Sequence, residues 1–208
     1  MRSAGLFGII DLYHKDYKDN LDNRGLYMTK VLIVTDSVRK PNVNNKVVEL
    51  VESRLALRDG VEAQVADLGE IGLPFYDAPT PPSADDYVIP HQSVQQWQDM
   101  VSQADKIIFT VPEYNHSLSA IQKNAIDWLY HEWKDKPVAF VAYGFYAGKH
   151  SLAQLEEMGS VLKWQVSGRI VGLQFTEDID LDGTVIDKDG VESRLDEMID
   201  DLVPTTVL

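Results

Sequence analysis

Ser37, Arg39, Asn42 and Asn44 stand two or three residues apart, between a β-branched run and an amphipathic stretch. Hydroxyl, guanidinium and amide groups so spaced can bond the oxygens of a phosphate. Backbone N–H groups at a helix start, where the dipole is positive, would assist them. The same segment reads equally as an N-capped helix behind a polar loop, because Ser and Asn cap helices in their own right. It lacks both the Gly-rich dinucleotide fingerprint and the Gly-Lys-Ser/Thr phosphate loop.

Two further loops carry reactive or recognition groups. Pro112-Glu113-Tyr114-Asn115-His116-Ser117 follows the apolar run Lys106–Val111, and Tyr114 in so polar a turn reads as a site residue. Trp128, on the apolar face of the next helical stretch, reads as a core aromatic. The third loop is Tyr143-Gly144-Phe145-Tyr146-Ala147-Gly148-Lys149-His150. The histidines (His14, His91, His116, His131, His150) are dispersed, with no helical i, i+4 pair, so no metal centre is expected. His116 and His150 differ from the others in lying within candidate loops. The chain has no Cys, which excludes disulfides, thiolate nucleophiles and Cys-ligated metals. Asp178-Ile179-Asp180-Leu181-Asp182-Gly183, with Asp189, approaches a calcium-loop pattern. Its last ligand position carries Asp where a bidentate Glu is usual, and a strand precedes it in place of a helix. An acidic Asp-Gly turn is the simpler reading.

The elements that must position these loops alternate along the chain. Val31–Val34 is a short β-branched run, the mark of a strand buried on both faces. Val47, Leu50, Val51 and Leu55 form a helical stripe. Strands are expected at Val61–Ala66, Lys106–Val111, Pro137–Ala142 and Arg169–Phe175. Helices are expected around Val94–Val101, Leu118–Leu129, Leu152–Leu162 and Val191–Leu202. The Pro-, Asp- and Ser-rich stretch Leu73–Asp86 reads as a surface excursion. Strand–helix alternation implies right-handed crossovers and a doubly wound, five-stranded parallel α/β sheet with helices on both faces. The expected strand order is 2-1-3-4-5, which places a ligand at the carboxyl ends of strands one and three.

Pro112-Glu113-Tyr114-Asn115, followed by Lys123-Asn124-Ala125-Ile126-Asp127-Trp128, closely resembles the NADPH-dependent FMN reductase family. Relatives of that family include bacterial quinone and chromate reductases and some azoreductases. Ser37, Arg39, Asn42 and Asn44 match its Ser-x-Arg-x-x-Ser-x-Asn phosphate loop, with Asn42 in place of the second Ser. The resemblance spans Thr29 to Leu173. It implies a flavodoxin-like fold and an FMN-dependent reductase driven by NADH or NADPH. The acceptors would be quinones, azo compounds, flavins or similar molecules. By the same resemblance, Ser37, Arg39, Asn42 and Asn44 would hold the flavin phosphate. Pro112, Glu113, Tyr114 and Asn115 would line the ring and ribityl chain, and the Tyr143–Gly148 loop (Tyr143, Gly144, Phe145, Gly148) would meet the ring edge. Lys123, Asn124 and Asp127 would position the helix or contact a second subunit. The departures are Asp36 for a customary Gly, Ala147 and His150 in a Gly-Gly-x-Arg segment, and the bulky Phe145 and Tyr146. Two other readings stay open at this stage: a flavin-binding electron carrier or redox sensor, and a flavin-free interaction module.

The formal charge of -14 disfavours nucleic acid and anionic membranes as partners. No apolar run reaches the ~20 residues that span a bilayer. A cytoplasmic location is expected, the lack of Cys fitting a reducing compartment. A length of 208 residues suits one domain at 28–208, preceded by a polar, poorly ordered extension at 1–27. A homodimer or homotetramer is implied by the resemblance, with the aromatic stretch Trp128–Trp133 as the candidate contact surface.

Overall fold

The computed structural model describes residues 28–204; the expected extension at 1–27 lies outside them. The strands are β1 (Thr29–Thr35), β2 (Val61–Asp67), β3 (Lys106–Pro112), β4 (Pro137–Gly144), β5 (Gln165–Val166) and β6 (Val171–Gln174). The helices are α1 (Val43–Leu55), α2 (Leu68–Ile71), α3 (Gln92–Gln103), α4 (Ala120–Asp127), α5 (Lys149–Leu162) and α6 (Lys188–Leu202), with a 3-10 turn at His131–Trp133. All strand pairs are parallel, in the order β2-β1-β3-β4-β5, and β6 also pairs with β4. This is the flavodoxin-like order.

The fifth strand position is filled in two pieces. Gln165–Val166 pairs with Pro137–Val138, and Val171–Gln174 pairs with Val141–Gly144. Between them Gly168 takes a φ of +81°, and a Cβ there would lie 2.6 Å from the Cβ of Asp201. The break lets the edge pass close against α6, a contact only Gly allows.

Alternation along each central strand divides the core into two layers. Leu32, Val34, Ile107, Phe109, Val138 and Phe140 face α3, α4 and α5. Val31, Ile33, Ile108, Ala139 and Val141 face α1 and α6. The period-2 placement of apolar residues on both faces is what a doubly wound sheet requires.

Trp128 and Trp133 have no exposed surface and pack into the first layer, which corrects the expected contact surface at Trp128–Trp133. Their indole N–H groups donate to Pro74 and Ile126 carbonyls at 2.8 and 3.2 Å. An apolar aromatic run has the same composition whether it faces a core or a subunit, and here the 3-10 turn points Trp133 inward. The expected excursion runs without strand or helix and is tethered to α4. Asn124 donates to the Pro74 carbonyl at 2.8 Å and accepts from Tyr76 N at 2.9 Å. Lys123 pairs with Asp127 on the exposed face of the same helix. No helix among the described residues is long and apolar enough to cross a membrane.

Candidate active site

The carboxyl ends of β1, β3 and β4 open on a cavity of about 320 Å³. Ser37, Arg39, Pro41, Val43, Glu113, Tyr114, Tyr143, Phe145, Phe175 and Leu181 line it. It lies where the strand order reverses, the position that open α/β sheets use for ligands. A second cavity, of about 370 Å³, lies against Lys30–Leu32 and Glu62–Gln64 and gathers no comparable set of groups.

The first wall is the loop leaving β1. Ser37 is buried, and its hydroxyl shares a 2.6 Å hydrogen bond with the Tyr114 hydroxyl. Arg39 N donates to Ser37 Oγ at 3.3 Å, and the exposed guanidinium lies 5.6 Å from the Tyr114 ring centroid. Asn42 takes the capping role that the loop's sequence also allowed, and Asn44 anchors the helix start to β1. Asn42 is the N-cap of α1, accepting from Asn44 N at 3.0 Å and donating to the Ser37 carbonyl at 2.9 Å. Asn44 is fully buried, its amide 2.8 Å from the Thr35 hydroxyl. These two residues shape the loop, while Ser37 and Arg39 line the cavity.

Asp36 has no exposed surface, and neither carboxylate oxygen has a hydrogen-bond partner. Burial pushes its pKa well above the usual carboxylate range, because an unpaired charge is strongly disfavoured there.

The second wall is the turn after β3, of which Pro112 is the last residue. Tyr114 and Ser117 exchange two backbone hydrogen bonds of 3.0 Å, with Asn115 and His116 at φ +50° and +62°. Consecutive positive φ values mark the tight turn for which Asn is one of the few suitable non-glycine residues. Helix α5 clamps this turn. Ser151 donates to the Ser117 and Pro112 carbonyls at 2.8 and 3.2 Å. The Gln154 side chain accepts from Ser117 Oγ at 3.0 Å and donates to the His116 carbonyl at 3.3 Å. Sequence reasoning missed Ser151 and Gln154; their only signal was polarity in the first turns of a helix following a candidate loop.

The third wall follows β4. Tyr143 is buried, and burial, reinforced by the neighbouring Tyr114 and Asp36, raises its hydroxyl pKa far above the usual phenol range. It stays protonated and able to donate. Gly144 brings the backbone within a Cβ-width of Glu113. Gly148, at φ +72°, would place a Cβ 2.3 Å from the Cβ of Ala142, so the loop closes over β4 only without a side chain. Phe145 is 64% exposed and meets Phe175 edge-on at 5.3 Å.

The sheet also joins residues that the sequence kept apart. The His116 and His150 rings stack at 4.1 Å, and Glu113 Oε2 accepts from His150 N at 2.9 Å. The acidic Asp178–Asp182 turn, by contrast, spends its carboxylates internally. Asp178 pairs with Arg194, Asp180 accepts from Leu181 N, and Asp182 pairs with Lys46 and accepts from Thr184 N.

The cavity thus gathers the Ser37 hydroxyl and the Arg39 guanidinium with the aromatic rings of Tyr114, Tyr143, Phe145 and Phe175. A ligand with an anionic tail and a flat ring fits that donor set. The family model for NADPH-dependent FMN reductase matches residues 29–178. The chain belongs to this family. As a family member it is an NAD(P)H-dependent oxidoreductase that uses FMN.

A Nectria NAD(P)H-dependent FMN reductase is 33% identical over 169 residues, covering 77% of this chain and 82% of that one. One from Saccharomyces cerevisiae is 36% identical over 156 residues, covering 68% and 78%. Among solved structures, the flavoenzyme NAD(P)H:(acceptor) oxidoreductase of Paracoccus denitrificans superposes with a TM-score of 0.64 at 23% identity. That match covers 84% of this chain and 97% of the other, and supports the fold.

Proposed function

We propose that this FMN reductase passes reducing equivalents from NAD(P)H to quinones, azo compounds, flavins or similar acceptors at the cavity bounded by Ser37, Glu113 and Tyr143. The observation that carries the reading is the Ser37–Tyr114 hydrogen bond, which joins the loops of β1 and β3 across the switch point. A quinone reductase of Pseudomonas putida, 30% identical over 138 residues, supports the acceptor class. An azoreductase of Bacillus anthracis, with a TM-score of 0.51, shares the fold.

When bound, FMN would supply the hydride chemistry between NAD(P)H and the acceptor. The chain's own residues bind and orient. Ser37, Arg39 and the N–H groups ahead of α1 hold the phosphate, in a loop whose shape Asn42 and Asn44 fix. Pro112, Glu113, Tyr114 and Asn115 form the wall along the ring and ribityl chain, braced by Ser151 and Gln154. The Tyr143–Gly148 loop, with Gly144, Phe145 and Gly148, would meet the ring edge, where backbone N–H groups would stabilise negative charge. No side chain is required as nucleophile or general base.

A cytoplasmic homodimer or homotetramer belongs to the same reading, with the exposed Phe145 and Tyr146 at the cavity mouth available for contact. Steady-state oxidation of NADPH by FMN-loaded protein, with and without a benzoquinone, tests the proposal. Quinone-dependent turnover is expected; oxidation that no acceptor stimulates contradicts it.

A further inference from the structure

Glu113, His116 and His150 each present a ligand atom, and these atoms lie within 4.8 Å of one another. No other group of three or more His, Asp or Glu that could hold a metal occurs among the described residues. The three come from two elements: Glu113 and His116 from the turn after β3, and His150 from the first turn of α5. Each is held in place by backbone. His150 N donates to Glu113, Gln154 grips the His116 carbonyl, and His116 adopts a positive φ that non-glycine residues hold only when the surroundings enforce it. Tyr146 closes one side, its ring edge-on to both imidazoles at 5.4 and 5.7 Å.

We propose that Glu113, His116 and His150 form a binding site for a divalent transition-metal ion at the rim of the flavin cavity. Two imidazoles and one carboxylate are a borderline donor set that suits Zn²⁺, Ni²⁺ or Cu²⁺ and disfavours Ca²⁺ and Mg²⁺. Metal–ligand bonds of about 2.0–2.2 Å require the three atoms to draw closer than they stand now. The exposed His116 side chain, at the tip of its turn, can make that movement by rotation. Glu113 keeps lone pairs beyond the one that accepts from His150 N. The positive end of α5 and Lys149 oppose a cation here, so binding depends on the direct ligands rather than on the surrounding field. Because Glu113 also lines the cavity, a bound ion ties the flavin wall to α5.

The test is calorimetric titration of Zn²⁺ into the untagged, chelator-treated full chain at about pH 7.5. One Zn²⁺ per chain is expected. His116→Ala and His150→Ala should each weaken binding by about tenfold or more, whereas His131→Ala should leave it unchanged. Circular dichroism and FMN content verify that each variant folds. Absence of saturable binding, or binding unaltered in both His116→Ala and His150→Ala, overturns the proposal. Neither result depends on reductase turnover, so the failure of this site is separable from failure of the proposed function.

Discussion

The Ser37 and Tyr114 hydroxyls meet at 2.6 Å although 77 positions separate them in sequence. One stands just after the first strand and the other in the turn after the third, so their bond fixes the mouth of the switch point. Tyr114→Phe removes the bond while keeping the ring. A net hydrogen bond of about 0.5–1.5 kcal/mol corresponds to a two- to tenfold loss of FMN affinity, with the fold intact. Fluorescence titration with FMN checks this, and unchanged affinity removes the bond from the site.

Arg39 is the cavity-lining cation to which the proposal assigns the flavin phosphate, exposed and set over Tyr114. Arg39→Ala should lower FMN affinity by about tenfold or more, as expected for a lost charge-assisted hydrogen bond. The hydride-transfer rate at saturating FMN should change far less. Because the guanidinium is exposed, the affinity difference should shrink in high salt. Stopped-flow and equilibrium titrations at two salt concentrations separate these effects. An unchanged FMN affinity excludes Arg39 from the site.

Asp36 is buried without partners and titrates above its ordinary range. Between the ordinary and the raised pKa, the folded chain holds a proton that the unfolded chain has lost. Stability therefore falls as pH rises through that window. Asp36→Asn has no such window, so its stability should exceed that of the parent at neutral pH, with a gap that narrows toward acid. Urea midpoints at about pH 5 and about pH 8 measure it. Parallel pH dependence in the two proteins contradicts the assignment.

Gly148→Ala forces a methyl group to 2.3 Å from the Cβ of Ala142 and retains a left-handed backbone. The variant should lose about 1–3 kcal/mol of stability by overpacking. It should also bind FMN more weakly, because the ring-edge loop must lift from β4. Thermal unfolding of the apoprotein together with FMN titration tests both parts. Normal stability and affinity would show that the loop has room to spare.

Much of the fold was legible because its signals are local. The β-branched run at Val31–Val34 and the stripe Val47, Leu50, Val51 and Leu55 report their periods directly, and their alternation is enough to imply a parallel sheet. The ends were less legible: the fifth strand breaks at Gly168 because α6 presses on it, a contact that arises only in the folded chain. Trp128 and Trp133 illustrate the same limit, since composition cannot tell a core from a subunit contact. At the site, the loops carrying Ser37, Arg39 and Tyr114 were evident from polar residues placed after apolar strands. The partners of Asn42 and Asn44 were open in the sequence and are specific in the structure, a helix cap for the first and Thr35 for the second. The stacking of His116 on His150 was invisible, because it depends on the register that seats α5 beside the turn.

The most direct test of the central claim is a visible absorption spectrum of the purified protein, before and after NADPH or NADH is added without air. Flavin bands that bleach on addition are the predicted result, uniting cofactor and reductase chemistry in one observation. Flavin bands that persist with both reductants, or no bands after FMN is supplied, would contradict it.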